Sequence, residues 1–216
     1  MSAPKFDIRY LSLVVGMMAA MATGTAYTFG IYSGALGANF NMTISQLDTI
    51  TMVGSFSGLF TVVGGLITDR CGPHIAVLFG GLLLSASFAG LFLFASSIVD
   101  AKPWVKDDAT LGPLIVFSGL TFCAYFASGC ITGGVFAATV RNFKQQKGTA
   151  VGLLKGFVGI CGGLYTQVYV GFFGIPGKSA ETFYFLLLVA AFVLLFAVVP
   201  SNWVRVSTMP ESRTPR

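Results

Sequence analysis

The strongest constraint in this chain is where its charges are missing. No Asp, Glu, Lys or Arg occurs between Arg9 and Asp48, Asp48 and Asp69, Arg70 and Asp100, Asp108 and Arg141, or Glu181 and Arg205. The stretch from Lys147 to Lys178 holds one, Lys155. Each window is about as long as the roughly 20 apolar residues that cross a hydrocarbon core. Charged residues make up only 10% of the 216, against about 25% in a soluble domain. A chain so poor in charge cannot coat a water-facing surface, so the expected solvent is the bilayer. Six windows predict six spans, near Tyr10–Ser33, Leu47–Thr68, His74–Ser97, Leu114–Val140, Gly148–Phe172 and Thr182–Pro200.

Helix is the expected form of each span, because backbone polar groups in lipid must be satisfied within the segment. A membrane barrel needs alternating segments of about 10 residues, and the run from Phe183 to Phe196 does not alternate. The first apolar run exceeds the roughly 7–15 residues of a signal-peptide core and is rich in Gly, Thr and Tyr, so it is expected to be retained. The fold class is therefore an all-α membrane protein. Residues 1–200 are expected to form its transmembrane domain, and 201–216 a polar cytoplasmic tail or the start of a linker.

Lys5, Arg9, Arg70, Arg141, Lys144, Lys147, Arg205, Arg213 and Arg216 fall on one side of this six-span threading; only Lys102, Lys106 and Lys178 fall on the other. The positive-inside rule places both termini in the cytoplasm. The host membrane is left open. The net charge of +5 therefore reports orientation and does not imply a nucleic-acid partner. Local signals fit the threading. Ser45-Gln-Leu-Asp48 reads as a capping box opening the second helix, with Asp48 near its positive end. Asp69-Arg-Cys-Gly-Pro73 reads as a tight cytoplasmic turn. Asp100 to Gly112 reads as the longest, external loop, and Gly174-Ile-Pro-Gly-Lys closes span five. Asn41-Met-Thr43 is a glycosylation sequon pressed close to the membrane.

Several chemistries have no footing. Cys71, Cys123, Cys130 and Cys161 show no metal-ligand spacing, and His74 has no partner in sequence, so they read as packing residues. No triad, paired intramembrane carboxylates or Walker loop occurs, so no enzyme, cofactor or metal is expected. Span five is more informative. Gly148, Gly152 and Gly156 repeat every four residues, and Gly159 and Gly163 nearly continue the stripe. Such a ridge lets membrane helices meet backbone to backbone. Lys155 lies within this span. An ionisable group there faces a cavity or a partner, or else its stem snorkels to the interface; both readings stand. Tyr27, Tyr32, Tyr125 and Gln167, with Ser128 and Thr132, are weaker candidates for a solute pathway or for interhelical hydrogen bonds.

Gly65-Leu-Ile-Thr-Asp69-Arg70-Cys-Gly72 lies between spans two and three. It resembles the loop signature of the major facilitator superfamily, although Pro73 and His74 stand where that family usually has basic residues. Gly65 would let a helix approach closely, Asp69 would accept hydrogen bonds or pair with an arginine, and Gly72 would permit the turn. The stretch Asn142-Phe143 … Lys147-Gly148 … Val151-Gly152-Leu-Leu-Lys155-Gly156 … Thr166-Gln167-Val-Tyr169 is similar to the fifth span of the nodulin-like branch of that superfamily. Span one, with Gly24, Tyr27, Gly30 and Tyr32, resembles it too. Departures are Lys144 where the family favours Pro and Lys147 where it favours Arg.

The resemblance implies the amino-terminal six-helix half of a transporter working by alternating access. Asp69 would then be part of a cytoplasmic latch, with Gly65, Arg70 and Gly72 around it. Arg141 is our own candidate for its partner. Lys155, Tyr27, Tyr32, Tyr125 and Gln167 become candidate substrate contacts, for a small anion or zwitterion. Because the superfamily fold has two such halves, the chain is expected to be a fragment, a half that dimerises, or a non-transporting remnant. The alternative function is a membrane scaffold or interaction protein without transport. Expected partners are lipid, solute, and a second half or second copy.

Overall fold

The computed structural model describes residues 8–101, 111–173, 182–204 and 206. All regular structure among them is helical. The elements are α1 (Ile8–Thr23), α2 (Phe29–Phe40), α3 (Ile44–Phe56), α4 (Thr61–Cys71), α5 (Pro73–Ala101), α6 (Leu111–Asn142), α7 (Lys147–Phe173) and α8 (Thr182–Val193). Five rods are long and apolar enough to cross a bilayer: α3–α4, α5, α6, α7 and α8 with its extension to Trp203. The first, α1–α2, contains a shorter apolar helix and is interrupted. The chain is an all-α, multi-pass membrane protein.

The interruption was not anticipated from the sequence. Gly24–Thr28 is a 3-10 helix between α1 and α2, yet both its flanks keep right-handed helical dihedrals, so the rod continues. Three threonines account for the tightening. The hydroxyls of Thr23, Thr25 and Thr28 donate to the carbonyls of Ala20, Ala22 and Thr25, at 2.7, 2.8 and 2.6 Å. Each reaches back three residues, which draws the backbone toward the 3-10 pitch. A similar break at Ser57–Phe60 divides the second rod, where Thr61 Oγ1 donates to Gly58 O at 2.7 Å. The last rod widens to a π-turn at Leu194–Val198 before a 3-10 end at Val199–Trp203. Pro200 supplies the reason, since it lacks an N–H and its ring crowds the preceding turn.

The turn after α2 corrects the expected cap. Asn41 is left-handed (φ 51°), and Met42 N–H donates to Gly37 O at 3.2 Å, closing α2. The chain then extends through Thr43, so the helix starts earlier than Ser45. Thr43 caps it: Gln46 N–H donates to Thr43 Oγ1 at 3.4 Å, and Thr43 N–H to Gln46 Oε1 at 2.9 Å. Ser45 is already helical, and Asp48 lies beyond the first turn. Between α4 and α5, Gly72 takes φ +95°, which disfavours any side chain, and Pro73 starts α5.

Packing centres on α6, which touches α1, α3, α4, α5 and α7. Its closest partner is α5. A Cβ on Gly80 would meet Ala127 O at 2.8 Å and Ile131 N at 3.0 Å; one on Gly134 would meet Pro73 O at 2.9 Å. Glycine is needed at both because the obstacle is backbone. Against α4, a Cβ on Gly64 would meet Cys130 Cα at 2.9 Å, whereas one on Gly65 would meet nothing within 4 Å. The close approach expected of Gly65 therefore belongs to Gly64, one residue and about 100° around the helix.

The expected external loop after Asp100 and the Gly174–Lys178 turn fall largely outside the described residues, as do the basic residues Lys5, Lys102, Lys106, Lys178, Arg205, Arg213 and Arg216. At the start of the expected tail, Ser201–Trp203 are still helical and Ser201 and Val204 are buried; most of the rest lies outside the described residues.

Candidate functional site

Two residues from distant parts of the chain meet where α4 turns into α5 and α6 ends. Arg141 Nη2 donates to Asp69 Oδ1 at 2.8 Å. Asp69 sits in the last turn of α4 and Arg141 in the last turn of α6, so the pair ties two helix ends together. Both side chains are well exposed, at 46% for Arg141 and 67% for Asp69. An exposed pair of this kind contributes about 0–1 kcal/mol; it positions Asp69 more than it stabilises the fold. Arg70 is exposed next to it.

A second assembly surrounds the break in α1. Ser128 of α6 donates to Thr23 O at 3.2 Å, and Tyr165 of α7 donates to Met21 O at 3.1 Å. Side chains from two neighbours thus serve carbonyls around the irregular turn, as the absence of water in a bilayer requires. The approach is close, since a Cβ on Gly24 would overlap Cys161 Cβ. Tyr27 protrudes from this turn, 69% exposed, and lies alongside Gly162 of α7. Tyr125 of α6 packs against α3, where a Cβ on Gly54 would meet its ring at 3.4 Å.

The face of α7 turned away from its neighbours carries the remaining candidates. Gly148, Gly152, Gly156, Gly159 and Gly163 are exposed, and a Cβ on any of them would meet nothing within 4 Å. The expected packing ridge therefore packs against nothing within the described residues. The buried side of α7 is instead Ala150, Leu154, Cys161, Tyr165 and Tyr169, because those positions turn toward α1, α6 and α8. Lys155 stands on the open side. Its Nζ lies 5.2 Å from the centre of the Phe136 ring of α6. Phe136 is six residues before Asn142, the end of α6, hence about 9 Å inside at roughly 1.5 Å per residue. The ammonium thus lies over an aromatic face, a cation–π contact.

Of the other candidates, Gln167 is exposed on α7. Tyr32 is 3% exposed and packs edge-on against Phe29 at 5.3 Å, within the core of the described residues. Thr132 donates back to Ser128 O at 2.9 Å within α6. Tyr165 and the broken turn were missed in sequence, although the Thr23-Gly24-Thr25 cluster and Thr28 carried the signal. No group of three or more potential metal ligands occurs among the described residues. The family model described as Nodulin-like matches residues 9–215 of this chain.

Proposed function

The chain belongs to the nodulin-like family, and on that premise we propose that it serves as a membrane transporter of the major facilitator type. The cargo is a small anionic or zwitterionic solute, moved by alternating access. The observation that carries this reading is the uncovered face of α7, where Lys155 stands over Phe136 among glycines at which an added Cβ would meet nothing within 4 Å. A lysine within a span is costly unless it faces protein, water or a counter-charge. A second six-helix half, from further sequence or from a second copy, would close this face and make it a cavity wall.

The least covered rods support the same docking side. The central windows of α3–α4 and α7 are only 22% buried, against 39–44% for α5, α6 and the last rod. Glycine on α7 would let the second half approach its backbone, and rocking between halves would expose Lys155, Tyr27 and Gln167 to each side in turn. Asp69, held by Arg141 beside Arg70 and the Gly72 turn, would then gate the end assigned to the cytoplasm. We place both termini on that side, and propose no enzymatic step. The competing reading is a membrane interaction protein, in which the glycine face serves assembly only.

The test is solute counterflow in vesicles containing the protein with its second half, screened against small carboxylates and amino acids. Accumulation should occur for the wild type and be abolished by Lys155→Met, with partial recovery for Lys155→Arg. Accumulation unchanged by Lys155→Met would remove Lys155 from the pathway. No accumulation of any solute, with assembly intact, would favour the interaction protein.

A further inference from the structure

Among the described residues, two buried side-chain oxygens have no hydrogen-bond partner: Ser57 Oγ and Thr121 Oγ1. Both residues are 1% exposed. A serine or threonine in a helix readily donates to a carbonyl three or four residues back. Thr51, Ser55, Thr61 and Thr68 of the second rod do so, as does Thr132 of α6. A buried hydroxyl left alone is unfavourable, most of all in a bilayer, where bulk water cannot reach it. The two unpaired hydroxyls therefore call for a physical reason.

Both fall on one seam. Gly54, Ser57, Thr61, Gly64 and Thr68 recur at helical spacing along the second rod, so they share one side of it. That side meets α6. A Cβ on Gly54 would meet Thr121 Cγ2 at 2.8 Å, one on Gly64 would meet Cys130 Cα at 2.9 Å, and one on Gly129 would overlap Thr61. Ser57 lies one turn beyond Gly54 and opens the 3-10 break, which also touches α6. Side chains this small interlock little, so one rod can shift along the other. At the end of the same two rods stands the Asp69–Arg141 pair, at 2.8 Å.

We propose that this seam is a two-position joint. In the position described, the Asp69–Arg141 pair holds the rods in a register that leaves Ser57 and Thr121 unpaired. In the other, the second rod shifts along α6 at its 3-10 break, and the two hydroxyls bond to each other. One position has the ion pair at the helix ends, and the other has the hydrogen bond between the rods. Neither has both, so the two lie close in free energy. The joint rests on the packing of this chain and is independent of transport.

The test uses the full chain in detergent, followed by thermal melts and amide hydrogen exchange. Ser57→Ala/Thr121→Val removes both hydroxyls at nearly unchanged shape. It should raise the melting temperature by about 2–4 °C, because the described position loses no bond and sheds two unpaired groups. It should also slow exchange at Ser57–Phe60 roughly tenfold, because the second position loses the bond that forms it. Thr68→Val, on the same rod, loses a bond that is made and should not raise the melting temperature. Asp69→Asn should speed exchange at Ser57–Phe60 about twofold to fivefold, the range of an exposed pair, and leave Gly24–Thr28 unchanged. A melting temperature that is unchanged or lower in the double variant would overturn the proposal, since the hydroxyls would then be satisfied. A higher melting temperature with exchange at Ser57–Phe60 unchanged would overturn it too, since no second position would exist. Exchange there that ignores Asp69→Asn would equally overturn it, by removing the pair from the joint.

Discussion

At the residue scale, glycine earns its place by what surrounds it. Gly80 faces the backbone of α6, while Gly152 faces open space. Gly80→Ala should therefore destabilise the chain by about 1–3 kcal/mol, the usual range for overpacking, because a helix backbone cannot rotate away as a side chain can. Gly152→Ala should leave the isolated chain as stable or up to about 1 kcal/mol more stable, since alanine favours the helix and its Cβ meets nothing. Thermal melts in detergent compare the two, and equal losses would refute the assignment. The Asp69–Arg141 pair is exposed at both ends. A double-mutant cycle with Asp69→Asn and Arg141→Gln should accordingly give a stability coupling of no more than about 1 kcal/mol, falling with salt. A larger, salt-insensitive coupling would mean that the pair is shielded from water.

At the element scale, the irregular turns are as informative as the helices. The 3-10 turn in the first rod is held from outside by Ser128 and Tyr165, which reach Thr23 O and Met21 O. Interhelical hydrogen bonds in membranes average about 0.6 kcal/mol and reach about 1.7. Ser128→Ala and Tyr165→Phe should each destabilise by that amount. They should also raise amide hydrogen exchange around Gly24–Thr28, the segment they brace. Exchange unchanged there in both variants would show that the turn stands unaided. The spacing of charges reports the existence of this rod but not its break, because a 3-10 turn and an α-turn draw on the same apolar composition. Only the clustered threonines hint at it, through hydroxyls that compete for nearby carbonyls.

For the whole molecule, orientation and partnership matter most. Cys71 is exposed at the end of α4, whereas Cys130 and Cys161 are buried. In sealed cells, an impermeant maleimide should leave Cys71 unlabelled until the cytoplasmic side is opened. Labelling of Cys71 from outside would invert the proposed topology, and with it the gate at Asp69. The poorly covered α3–α4 and α7 rods direct the search for a second half to those faces, not to α5 or the last rod.

The amino-acid sequence alone determined that this chain is a helical membrane protein with six rods, and it placed their ends within about four residues, except that the first rod runs past the expected Ser33 to Phe40. Charge-free windows of bilayer length leave few other folds, since each charge left in lipid is expensive. It also singled out Asp69, Arg141 and Lys155, because ionisable groups near or within spans are rare enough to stand out. Only the tertiary structure decided which glycines pack. The ridge on α7 faces outward, while Gly64, Gly80 and Gly134 meet neighbouring backbone. A small-residue stripe records that close approach is possible along one side of a helix. Which side the neighbours occupy depends on how all the rods turn about α6, and no single segment carries that information.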